Sequence, residues 1–162
     1  MPAFQLVGLQ PESFAHLNDL SSDELRSHGV MRVVANAKPG YPCRISLVDA
    51  EVGEELFLLP FEHQGADSPY RSSGPIFVRC SAPQTVLPVG MVPEYVRSRL
   101  ISLRAYDEQH MIIGAQVCEG TDVAKEIEGH FANVSVSYIH LHNAKRGCFS
   151  CLVRRAPAMA VG

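Results

Sequence analysis

The sequence predicts an α+β domain built on a mainly antiparallel β-sheet, with several hairpins and a few short helices. Three observations carry this. The chain has 162 residues, of which 46% are apolar and 19% charged, enough to bury a core without disulfides. Its 12 glycines and 11 prolines break it into short elements rather than long helices. Apolar residues recur with period two in paired segments separated by turn residues, the signature of hairpins. The length fits one domain, residues 1–162, with about 1–20 and 156–162 expected at its periphery.

Each element has a local reason. Pro11–Leu20 reads as a short helix. Ser21 and Glu24 form a capping box that starts a second helix, and Gly29 ends it. Val30–Val34 is a short strand. Pro39–Arg44 is a turn-rich loop, and Arg44–Val48 and Glu55–Pro60 read as strands around a bend at Gly53. Gln64–Gly74 is a polar loop before the β-prone Pro75–Cys80. Ser81–Val92 is irregular. Pro93–Arg99 reads as a helix with proline first.

Ile101–Tyr106 alternates, placing Ile101, Leu103 and Ala105 on the core face and Ser102, Arg104 and Tyr106 on the other. It pairs with Met111–Val117 as a hairpin. Thr121 caps a helix that carries Val123, Ile127 and Phe131 at helical spacing. Val134–His142 and Cys148–Arg155 form a last hairpin, joined by Asn143–Gly147, which suits a type I turn with a glycine bulge.

Charge and cysteine usage bound the function. The net charge is −3, which argues against nucleic acid and acidic membrane surfaces as bulk partners. No acidic residue follows Glu128, so the C-terminal segment is basic within an acidic protein. Five cysteines without a signal-peptide pattern point to free thiols in a reducing cytoplasm. No apolar run reaches the length of a membrane span.

Three constellations carry chemistry. Tyr138, His140 and His142 share one face of a strand, a row of rings leading to a tip that holds Asn143, Lys145, Arg146 and Cys148. Backbone amides at such a turn, beside two cations, form an anion-binding concavity. Second, Ser68–Pro75 sets Tyr70, Arg71 and Ser73 before a strand, with His63 upstream; Arg71 can clamp an oxyanion. Third, two prolines stiffen the loop that aims Tyr41, Cys43 and Arg44.

His140, His142 and Cys148 are the candidate catalytic groups; Tyr41, Cys43, Arg44, Tyr70, Arg71, Ser73, Arg104, Asn143 and Arg146 are the candidate ligand-binding groups. Cys43 and Cys148 lie close in sequence to Arg44 and Arg146, which favours a thiolate. The Cys148–Cys151 spacing falls on a strand, where the two thiols face opposite ways, so a redox pair is disfavoured. No Gly-rich phosphate loop and no Gly-X-Ser-X-Gly elbow is present.

Pro39-Gly-Tyr-Pro-Cys-Arg44, Asp49-Ala-Glu-Val-Gly-Glu54, Ser68-Pro-Tyr-Arg-Ser-Ser-Gly-Pro-Ile-Phe-Val-Arg79, Leu103-Arg-Ala-Tyr106 and His142-Asn-Ala-Lys-Arg-Gly-Cys148 together resemble the bacterial family known as domain of unknown function 1203. The resemblance runs from about the first helix to Arg154 or Arg155. It implies a stand-alone bacterial protein and assigns no catalytic residue and no cofactor.

The residues point first to a small anionic ligand, bearing phosphate or carboxylate, held in an Arg/His-lined pocket with acid–base chemistry open to His140 or His142. The alternatives are a non-catalytic interaction module that uses the basic C-terminal hairpin, and a metal site on His140 and His142 completed by His63, Cys43 or Cys148. A homodimer is compatible with each reading.

Overall fold

The computed structural model describes residues 2–157; the peripheral tail expected at the C-terminus lies partly outside them. Among the described residues, ten strands and three α-helices form two five-stranded, mostly antiparallel sheets, as an α+β chain. The chain divides into two compact units, each discontinuous in sequence and each carrying one sheet. No helix among the described residues is long and apolar enough to cross a membrane.

The first unit comprises the described residues of 1–7, 66–71 and 86–162. Its strands are β1 (Phe4–Val7), β7 (Leu100–Tyr106), β8 (Ile112–Glu119), β9 (Tyr138–Asn143) and β10 (Phe149–Arg155), in the order β1-β10-β9-β7-β8. All neighbours are antiparallel. Helix α3 (Val123–Phe131) packs on β7 and β8. Its Val123, Ile127 and Phe131 are buried, as their spacing requires, together with Ile101, Leu103, Ala105, Ile139, Leu141 and Val153 of the strands. Gly114 sits beneath this helix; a Cβ there would come within 2.8 Å of His130 Nδ1, so glycine permits the close approach.

The helix does not start where the sequence suggests. Gly120–Asp122 forms a 3-10 turn, the N-cap is Asp122 rather than Thr121, and no side chain caps the end. Phe4 and Leu6 of β1 are buried in the sheet.

The second unit comprises residues 8–65 and 72–85. Its strands are β2 (Met31–Val34), β3 (Pro42–Cys43), β4 (Val48–Asp49), β5 (Glu55–Gln64) and β6 (Ser72–Arg79), in the order β2-β5-β6-β3-β4. The β3–β6 pair is parallel. Helix α1 (Ser22–Ser27) has the expected capping box: Ser21 Oγ accepts from the Glu24 N–H and the Glu24 carboxylate accepts from the Ser21 N–H. It closes on Gly29 at φ +74°, with Val30 N–H donating to Leu25 O and Gly29 N–H to Arg26 O, a Schellman end that glycine favours.

Three expectations fail here. Pro11–Leu20 is two 3-10 turns, Pro11–Ser13 and Ala15–Asp19. Of the expected strand Arg44–Val48, residues 44–47 form the turn between β3 and β4, with Leu47 at φ +54° and its N–H donating to Cys43 O, and only Val48 is in a strand. Finally, β5 and β6 extend through much of the polar stretch and leave only residues 65–71 as the connection. In the first unit, α2 (Glu94–Arg97) takes Pro93 as its N-cap rather than its first residue.

Candidate functional site

Strand β9 places Tyr138, His140 and His142 on one face, and the register shows what joins them. Tyr106, Arg104 and Ser102 of β7 lie opposite Tyr138, His140 and His142. On the other side, Phe149 lies opposite His142 and Leu152 opposite His140. Residues directly opposite share a face, so Arg104 belongs to the same surface as both histidines.

That surface is a continuous row of rings. Tyr106 stacks on Tyr138 with centroids 5.0 Å apart and planes 10° apart. His140 stands 4.9 Å from Tyr106 and 5.2 Å from Phe149, edge-on to both. Phe149 then lies 5.8 Å from His142. Aromatic pairs in such geometries attract beyond their area burial. Tyr106 was expected away from the core; it is buried because its ring is part of this stack.

The imidazoles are withdrawn from solvent. His142 is 0% exposed and His140 6%. His142 Nδ1 lies 2.9 Å from Gly147 O. A carbonyl only accepts, so Nδ1 carries the proton, and in the neutral ring Nε2 carries the lone pair. The turn that supplies this carbonyl is fixed by Gly147 N–H donating to Asn143 O at 2.7 Å and Asn143 N–H to Cys148 O at 2.9 Å. Gly147 is at φ +79°, as the turn reading requires, but the strand bulge falls at Ser150, between Phe149 and Cys151.

At the far end, Tyr138 Oη lies 2.7 Å from His110 Nδ1. His110 sits in the β7–β8 turn at φ +63°, and its carbonyl accepts from Ser68 Oγ at 3.2 Å. Asp107 shapes this turn by accepting from the Gln109 and Met111 N–H groups. The segment that carries Tyr70 and Arg71 is therefore tied to the turn that carries His110. Both of those side chains are exposed, and Arg71 N–H donates to Ser68 O.

His110 was not among the sequence candidates. A histidine in a hairpin turn gives no periodic signal, and only the fold brings it to Tyr138.

The remaining candidates separate. Asn143 lies opposite Ile101, on the face away from His142. Arg146 and Lys145 are exposed at the hairpin tip, and Cys148 is half-buried. Tyr41, Cys43, Arg44 and Ser73 belong to the second unit. There, Tyr41 Oη donates to Asn36 Oδ1 and its ring packs on Phe77. Cys43 is fully buried and its Sγ accepts from the Arg79 N–H at 3.2 Å. Arg44 is 2% exposed and donates to Pro42 O, while Ser73 is exposed on β6.

The basic hairpin is partly committed to the fold. Arg154 donates twice to Gln5 Oε1. Arg155 donates to the carbonyls of Phe131, Asn133 and Val136 and lies over the Phe131 ring. This leaves Lys145 and Arg146 as the exposed cations of the tip. No group of three His, Cys, Asp or Glu residues among those described is placed to hold a metal ion.

No curated protein and no solved structure matches the chain. Residues 40–155, which span the ring row and the hairpin tip, match the family described as "Protein of unknown function (DUF1203)", and the chain belongs to that family.

Proposed function

We propose that the ring-lined face of β7, β9 and β10 binds a small molecule through an anionic phosphate or carboxylate group, with Arg104 as the cation and His140 and His142 as proton-carrying partners. One observation carries the reading: a fully buried His142 whose Nδ1 is committed to the Gly147 carbonyl, on a face that it shares with Arg104. A buried polar side chain has to recover its lost hydration. An imidazole oriented by a carbonyl is set up to accept a proton at Nε2, or to donate one once charged. Arg104, opposite His140 on that face, can supply charge-assisted bonds worth about 1.5–3 kcal/mol each. We further propose that the protein works in a reducing, cytoplasmic setting, which its five free thiols support.

The experiment is a thermal-unfolding titration with inorganic phosphate, sulfate and malonate. At ten times Kd, a single site adds about 1.4 kcal/mol, or about 3–6 °C in Tm for a chain of this size. The reading expects a rise of that order with at least one anion, lost in Arg104→Gln and in His142→Leu. No rise with any of them, or a rise that survives both substitutions, defeats it.

A further inference from the structure

The unit that carries β2 to β6 holds a cavity of about 190 Å3 in which the imidazole row takes no part. Phe14, Ile45 and Phe57 form its apolar wall, and Arg79, Cys80 and Ser81 its polar wall. An apolar cavity of about 150 Å3 already accepts benzene. Phe14, Ile45 and Phe57 are all buried, so these walls are fixed by packing.

Arg79, at the end of β6, is held rather than loose. Its Nε donates to Glu54 Oε2 at 2.7 Å, and its Nη1 donates to Ser46 Oγ at 3.3 Å. A guanidinium has five N–H donors in a planar fork, so these bonds fix the plane and leave three donors uncommitted among the described residues. Arg32 lies over the Phe57 ring, 5.2 Å from its centroid. Glu54 faces Arg79, and Glu55 and Arg32 both act on Cys80. Two cations and two carboxylates thus balance around the cavity. Selection then rests on the shape of the apolar body and the direction of the fork rather than on net charge.

We infer that this cavity is a binding site for a small aryl carboxylate, with the ring against Phe14 and Phe57 and the carboxylate oxygens on the Arg79 fork.

Cys80 makes the test local. Its half-buried thiol lines the cavity, and burial pushes its pKa up, so alkylation is slow and sensitive to further covering. The full-length protein is labelled with iodoacetamide, with and without benzoate, and each cysteine is followed by mass spectrometry. Benzoate has nine non-hydrogen atoms, for which a Kd of about 1 mM is reasonable. At about ten times that Kd, occupancy slows Cys80 labelling about tenfold and leaves Cys118, on β8, unchanged. Ala15→Trp, at an exposed rim position, removes the protection. An unchanged Cys80 rate, equal slowing at Cys118, or protection that survives Ala15→Trp overturns the site. Equal protection by benzamide overturns the carboxylate assignment.

Discussion

Strands β8 and β9 flank β7 in the same sheet, yet they bury their side chains in different ways. β8 alternates strictly between half-buried and exposed, with Ile113 and Val117 at 41% and 61% exposure. β9 buries four consecutive residues, Ile139 and Leu141 on one face and His140 and His142 on the other. The edge strand is the simpler case: one face packs on α3 and the other meets water. The central strand is buried on both faces, one of them polar. A protein that withdraws two imidazoles and Tyr106 from water gives up hydration there, and the ring row with its oriented His142 is what replaces it. The difference teaches that β9, rather than the more exposed hairpin tip, is where the sequence departs from plain core building.

The contrast can be broken at several points. Leu141→Ala removes a fully buried side chain on the apolar face of β9 and should cost about 2–5 kcal/mol in urea unfolding. A loss below about 1 kcal/mol would mean that the face is not tightly packed. On the polar face, His142→Leu removes the bond to Gly147 O and should cost about 0.5–1.5 kcal/mol. Amide exchange at Gly147 and Asn143 should rise with it, since their turn loses its anchor. Unchanged exchange would show that the histidine does not hold the tip. At the edge, Val117→Thr should stay within about 0.5 kcal/mol, and a larger loss would mean that β8 is covered in solution.

The second unit gives the smallest effect, and it depends on pH. The Glu51 N–H holds the Glu54 carboxyl below its ordinary range; burial opposes it, and the Arg79 guanidinium adds to the lowering. A lowered folded-state pKa adds stability above the ordinary glutamate value, and that stability is lost as pH falls through the folded-state value. Glu54→Gln should therefore lower the neutral plateau slightly and flatten the acid limb of the stability profile, the two proteins converging at low pH. An acid limb unchanged by the substitution would contradict this linkage.

Much of the fold was legible in sequence because local chemistry and tertiary packing agree. Ser21 and Glu24 cap α1, Gly29 ends it, and the β7–β8 and β9–β10 hairpins form where alternation and turn residues coincide. The pattern fails where burial is not one-sided. Arg44-Ile-Ser-Leu alternates like a strand but is a turn in which all four residues are buried, so alternation there reports nothing about a sheet face.

The same physics half-hid the site. Period two placed Tyr138, His140 and His142 together, and Arg104 with Tyr106, but only the register makes these one surface. His110 carries no periodic signal at all. Arg154 and Arg155 look like free cations in sequence, and the structure gives them to Gln5 and to carbonyls at and beyond the end of α3.

The central claim is that an anion is gripped on the imidazole face rather than at the exposed tip. Nitrogen-15 imidazole spectra recorded during a phosphate titration test this most directly. The account predicts that His142 Nε2 shifts with saturation while Nδ1 stays protonated on the Gly147 carbonyl. Shifts confined to the backbone amides of Lys145 and Arg146, with both His142 nitrogens unmoved, would contradict it.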